Sequence, residues 1–314
     1  MIKPKEKDKD GLIYSSTTGK ELVAVRMDTR FVYMLFDDKN LIDIGIENIN
    51  ELPVGTVCVG KIEKIQKDIN AAYVLLPDKS KAFLKDVDPS MKPEKNIPVM
   101  ITRAASKGKL CSVKVTDDDI SFRKDLTVIE YGQRAYVDLI AENPDKIITD
   151  DKDLYQEFLE KYPDLKEKIQ LYSDSMVSLR VLFDVSRHLK EATGKNIWLK
   201  SGANIVIENT CAFTVIDINS AKRDKKNASN DYLAINLEAC DEIFRQLNLR
   251  NISGIILIDF INLNKEDEAV LSQKIIELCK TQKYHTYLVD ITPLGIAEIT
   301  RKKVGIPLSE IMSQ

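Results

Sequence analysis

Apolar and polar positions follow their most regular pattern between residues 204 and 263. Two apolar runs, residues 213–218 and 254–261, are typical of buried strands, and each contains one acid, Asp217 or Asp259. Between the runs, apolar side chains recur every three or four residues, at Leu233, Leu237, Cys240, Phe244 and Leu247. This spacing predicts one apolar face of a helix. We therefore interpret the stretch as strand, helix, strand.

The two acids in these runs are the first candidates for chemistry. A carboxylate among Ile, Leu and Phe side chains is unfavourable unless a cation or hydrogen bonds compensate it. If the strands are neighbours, Asp217 and Asp259 converge and can share a magnesium ion, which proteins hold through one or two carboxylates plus waters and phosphate. Asn219 falls on the same strand face as Asp217, where its amide could orient Asp217 or add an oxygen ligand. The alternative is that each Asp only caps a turn or helix at a strand end.

A basic segment follows the first acid directly. Lys222 and Arg223 begin a run, residues 222–226, that contains four cations and is a candidate for contacts with phosphates. The alternative is an ordinary solvated charged face.

Short strands dominate the first part of the chain. Residues 20–50 alternate as strands joined by tight turns. Five further short strands with glycine-bearing turns lie between residues 54 and 115 and predict a small barrel. Beyond them we predict strands at 126–129, 136–140, 146–149 and 169–172, and helices at 154–161 and 177–193. A later helix begins near Asn264, and a strand follows at 286–291.

Bulk composition narrows the class of protein. The 314 residues are enough for two or more domains, and no apolar run approaches the ~20 residues of a membrane helix. The charged composition of residues 1–19 predicts a disordered tail. This segment does not have the apolar core of a secretory signal. Five scattered cysteines favour reduced thiols and a cytoplasmic location. A net charge of −3 restricts any nucleic-acid site to a local basic patch.

Several ordered segments resemble one known family. Residues 215–221, 236–243, 245–247, 249–250 and 254–261 are similar to the catalytic region of the ribonuclease E/G family. The resemblance implies a mixed α/β (α+β) fold in which an OB-fold barrel of the S-one type is inserted in an RNase H-like subdomain and a DNase I-like catalytic subdomain follows. The implied boundaries are a tail at 1–19, RNase H-like segments at 20–51 and 119–202, the barrel at 52–118 and the catalytic subdomain at 203–314.

The resemblance also implies a function. It points to a magnesium-dependent endoribonuclease, with manganese as the alternative metal. Single-stranded RNA would be cleaved by in-line attack of water to leave a 5′-monophosphate and a 3′-hydroxyl, in mRNA decay or in processing of rRNA and tRNA precursors. Asp217 and Asp259 would hold the metal and Asn219 would complete the catalytic set. The residues expected to contact RNA are Tyr73, Phe83 and Lys107 in the barrel and Lys222, Arg223 and Arg301 near the acids.

Other interpretations stay open for the barrel aromatics and for the whole chain. Tyr73 and Phe83 are either exposed rings that stack on bases or members of the barrel core. A catalytically decayed RNA-binding protein of the same family is the main alternative function. A nucleotide-binding metabolic enzyme is the third, and the lack of a glycine-rich phosphate loop in the sequence counts against it.

The sequence departs from the family pattern in three places. We find no segment between residues 121 and 145 like the pocket with which larger members sense a 5′-monophosphate, so end-sensing is not expected. Pro293 stands where the family usually has Arg. The CPxC zinc linkage and the small dimer domain have no counterpart, so we expect a monomer or a dimer without a zinc bridge.

Overall fold

A computed structural model describes residues 19–106, 108–120, 125–210, 212–220 and 228–313, without the side chains of residues 228–231. The predicted tail, apart from Gly19, lies outside these residues. The chain divides into two compact units, Met1–Phe183 and Asp184–Gln314. Within the described residues, we find no helix whose length and hydropathy would let it span a bilayer.

In chain order, the strands are β1 (Lys20–Met27), β2 (Arg30–Asp37), β3 (Asn40–Asn48), β4 (Val57–Gln66), β5 (Ala71–Leu75), β6 (Lys81–Lys85), β7 (Asn96–Arg103), β8 (Cys111–Val115), β9 (Val128–Glu130), β10 (Lys146–Thr149), β11 (Ile169–Leu171), β12 (Asn196–Trp198), β13 (Asn204–Asn209), β14 (Phe213–Asn219), β15 (Gly254–Asp259), β16 (Thr286–Ile291) and β17 (Ile296–Arg301). The α-helices are α1 (Tyr136–Ala141), α2 (Lys152–Lys161), α3 (Leu179–Leu182), α4 (Val185–Thr193), α5 (Ala228–Leu249), α6 (Lys265–Lys280) and α7 (Leu308–Ile311).

The first unit contains a five-stranded sheet in the order β11-β10-β1-β2-β3. Strand β1 pairs in parallel with β10 although more than a hundred residues separate them, with Leu22 opposite Ile147. Leu22, Tyr33 and Tyr136 are fully buried between this sheet and the helices α1 and α2. Two distant segments of the chain therefore share one hydrophobic core, with the barrel strands between them in sequence.

The strands β4 to β8 form a closed barrel. Neighbouring strands follow the order β5-β6-β8-β7-β4, and a further pairing of β4 with β5 closes the ring. Alternate residues fill the interior, including Ile62, Val74 and Val99, which are fully buried. The predicted small barrel is confirmed.

The second unit is built on a six-stranded sheet in the order β12-β13-β14-β15-β17-β16, in which only β14 and β15 are parallel. Helix α5 connects these two strands, as predicted, and α6 follows β15. Buried residues of both helices, such as Ile243 and Ile275, pack on Ile216 and Ile258 of the sheet. The other face of this sheet, which we call the open face, carries the alternate side chains of each strand.

Two predicted elements are wrong, and two short strands of the structure pair with strands outside the five-stranded sheet. Residues 136–140, predicted as a strand, form helix α1, because Tyr136, Leu139 and Ile140 fall on one buried helical face. The predicted helix 177–193 is divided into α3 and α4, since Asp184 adopts a left-handed φ of 44°. Strand β9 pairs with the barrel strand β4. Strand β12 joins the sheet of the second unit.

Candidate active site

Asp217 and Asp259 lie directly opposite each other in the two central parallel strands of the second unit. Neighbouring strands are about 4.8 Å apart, and directly paired residues project to the same side of a sheet. Asp259 is the last residue of β15, so the pair lies at the carboxyl ends of the two strands. Ligands of α/β sheets bind at this edge.

The acids belong to the open face and not to the core. Ile216 and Ile218 flank Asp217 in the sequence and are buried against the helices, whereas Asp217 itself is half-buried. Asp259 is exposed and follows the buried Ile258. Because successive side chains of a strand point to opposite faces, each carboxylate has access to water. The free-energy cost of burying a carboxylate, which the apolar sequence around each acid suggested, is therefore avoided.

Asn219 orients one of the two carboxylates. Its side-chain Nδ2 donates a hydrogen bond of 2.8 Å to Oδ2 of Asp217. The two residues are separated by one position in β14 and project to the same face. The hydrogen bond restricts the direction of the Asp217 carboxylate.

The chain segment that follows Asp259 is held by a residue that the sequence analysis did not assign. Asn236 of α5 is completely buried, and its Nδ2 donates to the carbonyl of Ile261 at 2.8 Å. The Ile261 amide donates back to Asn236 Oδ1 at 3.2 Å. This pair of bonds fixes the backbone just after Asp259. The only signal in the sequence is a polar residue beside apolar positions of the helix.

The donor set fits a magnesium ion. Two carboxylates on adjacent strands, one half-buried and one exposed, match a cation that keeps several waters and uses one or two protein carboxylates. Among the described residues, no group of three or more His, Cys, Asp or Glu side chains is placed to hold a metal. A cage made entirely of protein ligands is therefore not found in this part of the chain.

A cleft of about 470 Å³ begins immediately after Asp259. Phe260 and Asn262 line it from the segment after β15, and Lys265 lines it from the start of α6. Pro293 and Leu294 form part of its wall. The position where the family usually has Arg is therefore an apolar surface of this cleft.

The two barrel aromatics do not belong to the barrel core. Tyr73 and Phe83 are both half-buried and directly paired between β5 and β6, with ring centroids 6.1 Å apart at 60°. Their chain neighbours point inward, as the buried Val74 and Ala82 show. The exposed Lys64 is opposite Tyr73 on β4. The outer wall of the barrel thus presents two rings beside a cation.

The structure contradicts the predicted phosphate contact of Arg301. Arg301 is 2% exposed, and its guanidinium donates to the carbonyl of Ile252 at 2.6 Å and to Asn248 Oδ1 at 2.8 Å. It pairs with Gly254 at the start of β15, about 16 Å along the strand from Asp259. The cation in this basic stretch therefore stabilises the far end of the sheet. Lys107, Lys222 and Arg223 lie outside the described residues.

Comparison with known proteins adds independent information. The model of the ribonuclease E/G family matches residues 124–304, which is more than half of the chain. Ribonuclease G of Salmonella typhimurium is 33% identical over 187 residues, and ribonuclease G of Escherichia coli K12 is 31% identical over 187 residues. Each of these two alignments covers 58% of this chain and 38% of the relative.

Ribonuclease E of Synechocystis is 39% identical over 140 residues, which is 44% of this chain and 21% of that relative. The matched part of the chain thus spans well under half the length of these relatives. The family match extends from the segment before β9 to the residues after β17 and includes Asp217, Asn219 and Asp259. The chain belongs to the ribonuclease E/G family.

Proposed function

We propose that this protein is a magnesium-dependent endoribonuclease that cleaves single-stranded RNA. One observation carries the proposal: Asp217 and Asp259 are in register at the carboxyl ends of adjacent parallel strands, with Asn219 bonded to Asp217. Membership of the ribonuclease E/G family and the names of the relatives support a ribonuclease.

Four residues have a defined role in this proposal. Asp217 and Asp259 would hold the divalent cation on the open face, and Asn219 keeps the Asp217 carboxylate in one orientation. A bound magnesium ion would lower the pKa of water and polarise a phosphoryl oxygen of the RNA. Asn236 holds the backbone beside Asp259, so that the spacing between the two carboxylates is set before substrate binds.

Water attacks phosphorus in line with the bond to the 3′ oxygen, and that bond breaks. The products are therefore a 3′-hydroxyl on one fragment and a 5′-monophosphate on the other. Tyr73 and Phe83 offer rings for base stacking, and Lys64 offers a cation beside them. OB-fold barrels with such rings bind single-stranded RNA, whose unpaired bases are free to stack on aromatic side chains. We accordingly propose mRNA, or rRNA and tRNA precursors, as substrates in the cytoplasm.

The test is cleavage of a short, end-labelled, A/U-rich single-stranded RNA in magnesium, in manganese and in chelator. We expect wild-type protein to cleave only with metal, and Asp259→Asn and Asp217→Asn to be slower by roughly 100-fold or more. Asp241→Asn is the matched control, because Asp241 lies on helix α5 and forms an ion pair with Lys274 at 2.7 Å. It should keep the wild-type rate.

The outcomes separate the two leading functions. Cleavage that is equal in Asp259→Asn and wild type would remove the proposed site from the reaction. RNA binding without any cleavage by the wild type would instead support the decayed RNA-binding protein. Repeating the assay with 5′-hydroxyl and 5′-monophosphate ends measures end-sensing, for which we expect a ratio near one.

A further inference from the structure

Trp198 is unusually exposed for its size. It is the only tryptophan in the chain, and 75% of its surface is accessible. Tryptophan is highly buried on average because its ring carries a large apolar area. An exposed indole at the end of a paired edge strand therefore calls for a partner outside the core.

Trp198 lies in the same row of the sheet as Asn219, two positions along the strands from the row of Asp217 and Asp259. It is directly opposite Asn204 on β13, and Asn204 is directly opposite Asn219 on β14. Paired residues share a face, so the indole is on the open face with Asp217. Two strand spacings, about 10 Å, separate the Trp198 backbone from that of Asn219.

The backbone that carries the indole is firmly held. Ile197 packs against the buried core on the other face of the sheet. The Leu199 amide donates to the carbonyl of Ala203 at 2.9 Å, which closes the turn into β13. Glu238 of α5 accepts from the Lys200 amide at 2.8 Å and from the Ser201 amide at 3.3 Å. The ring is thus presented by a fixed support, which limits the entropy lost on binding.

The surroundings of Trp198 favour a nucleobase over a protein surface. Its neighbours in the row, Asn204 and Asn219, are amides, whereas the centre of a protein interface is typically apolar. The exposed Lys200 follows two residues later, in the turn between β12 and β13, and adds a positive charge to this end of the two strands. Proteins that hold single-stranded nucleic acid usually combine aromatic side chains with cationic ones.

We propose that Trp198 stacks on a base of the RNA strand whose backbone crosses the Asp217–Asp259 pair. This inference rests on the proposed function and adds a second aromatic contact, separate from Tyr73 and Phe83. Stacking there would hold the strand a short distance to one side of the scissile phosphate. Trp198 would therefore contribute to affinity and to the choice of cleavage position, and would take no part in the bond-breaking step.

The first experiment uses tryptophan fluorescence, since Trp198 is the sole source of that signal. Short single-stranded RNA is titrated into full-length Asp259→Asn protein, in which binding is measured without cleavage. We expect saturable quenching of the emission. The same titration with double-stranded RNA should produce little quenching, because its bases are already stacked on each other.

The second experiment measures affinity by anisotropy of labelled RNA in the Asp259→Asn background. Trp198→Ala should bind roughly 5- to 150-fold more weakly, the range expected for loss of one base–aromatic stack, and Trp198→Phe should recover part of the loss. Tyr287→Ala is the matched control. Tyr287 is another exposed aromatic, 49% accessible, on the opposite edge strand β16, and its removal should leave the affinity unchanged.

An abasic scan of the RNA identifies the base. At one position, removing the base should weaken binding by the Trp198-containing protein and should have no effect with Trp198→Ala. If wild-type protein cleaves RNA but Trp198→Ala binds and cleaves as wild type does, this inference is wrong and the proposed function stands. If neither cleavage nor RNA binding is detected, both fail. Fluorescence that changes with protein concentration in the absence of RNA, but not with RNA, would assign Trp198 to contact between copies and overturn the inference.

Discussion

Two groups of charged side chains, one in each unit, are built in opposite ways. In the first unit, the Arg134 guanidinium lies between Glu47 and Glu157, with Nε to Glu47 at 2.7 Å and Nη1 to Glu157 at 3.3 Å. The hydroxyls of Tyr33 and Tyr136 donate to the same two carboxylates at 2.7 and 2.6 Å. Each acid there has a cation and a hydroxyl as partners.

In the second unit, the acids Asp217 and Asp259 lie beside each other. Asn219 donates a side-chain hydrogen bond to Asp217. Among the ion pairs of the described residues, none includes Asp217 or Asp259. Two carboxylates at this separation repel each other. In the proposed function, a cation supplied from solution would offset this repulsion.

We infer that this difference separates a structural charge cluster from a candidate binding site. The Arg134 cluster, which comprises Arg134, Glu47, Glu157, Tyr33 and Tyr136, is complete and partly removed from water. Its function is to hold α1 and α2 against the sheet. The Asp217–Asp259 pair is open to water and incomplete. Arg134 and Lys161 balance the two glutamates of the first group, whereas the ion pairs found in the described residues include neither aspartate. This difference in net charge, more than the number of charged residues, marks the candidate site.

The largest expected effect is the loss of stability when Arg134 is removed from the Arg134 cluster. Arg134→Met should lower the free energy of unfolding by about 3 kcal/mol, because it leaves the poorly solvated Glu47 carboxylate without its cation and removes one of the two cations that contact Glu157. Denaturant unfolding followed by circular dichroism measures the change.

Arg26→Ala is the control for this prediction. Arg26 is exposed, with its ion pair to Asp151 at 3.6 Å, and its loss should cost under about 1 kcal/mol. If the two variants unfold within experimental error of each other, the Arg134 cluster does not stabilise the first unit in the way proposed.

The next effect concerns Asn219, whose side-chain amide donates a hydrogen bond to Asp217. Asn219→Ala should reduce cleavage by roughly 10- to 100-fold and raise the magnesium concentration needed for half-maximal rate, since the Asp217 carboxylate loses its fixed orientation. Initial rates across a magnesium titration measure both quantities.

Asn209→Ala serves as the control, because Asn209 lies at the far end of β13 and its Oδ1 accepts from the Thr214 hydroxyl. A lower maximal rate in Asn219→Ala with an unchanged magnesium requirement would argue against a role in metal binding.

A smaller effect should be visible in stability. Magnesium at ten times its dissociation constant should stabilise wild-type protein by about 1.4 kcal/mol, because it binds the folded state and relieves carboxylate repulsion. Thermal unfolding in magnesium and in chelator measures this shift.

Asp259→Asn should unfold at nearly the same temperature in both solutions and, in chelator, should be no less stable than wild type. Equal magnesium shifts in Asp259→Asn and wild type would place the bound cation elsewhere.

The smallest effect is a pH dependence of the complete cluster. Burial would raise the pKa of the Glu157 carboxyl, but hydrogen bonds from Lys161 and Tyr136 and the charge of Arg134 outweigh it and hold the pKa below its usual value. A carboxyl with a lowered folded pKa adds stability above its unfolded pKa and loses it as pH falls through the folded pKa.

Wild-type protein should therefore lose stability on acidification more steeply than Glu157→Gln. Parallel acid-unfolding curves for the two proteins would show that Glu157 does not contribute through its charge.

Local patterns predicted the elements that depend on neighbours in the chain. The strand–helix–strand unit around Asp217 and Asp259 follows from strand and helix periodicities in adjacent segments. Helix α6 begins where Asn264 predicted it, with Oδ1 of Asn264 accepting from the Asp267 amide at 2.9 Å. The closed barrel also followed from evenly spaced short strands.

The errors occur where the apolar positions of a short run fit both the two-residue period of a strand and the 3.6-residue period of a helix. Residues 136–140 read equally well as a strand or as one turn and a half of helix, and contact with Phe158 of α2 favours the helix. The predicted helix 177–193 has no proline to interrupt it. Its break at Asp184 is a left-handed residue that the periodicity of the segment does not reveal.

The amino-acid sequence by itself determined the candidate residues and the family: two acids at matching strand positions, an amide two residues after the first, and the segments that resemble the ribonuclease E/G family. Tertiary structure decided what each residue faces. It put the acids on the open face, buried Arg301 at the far end of the same sheet and left Trp198 exposed beside the site. The reason is that periodicity fixes how side chains alternate, whereas only packing against the helices decides which of the two faces becomes the core.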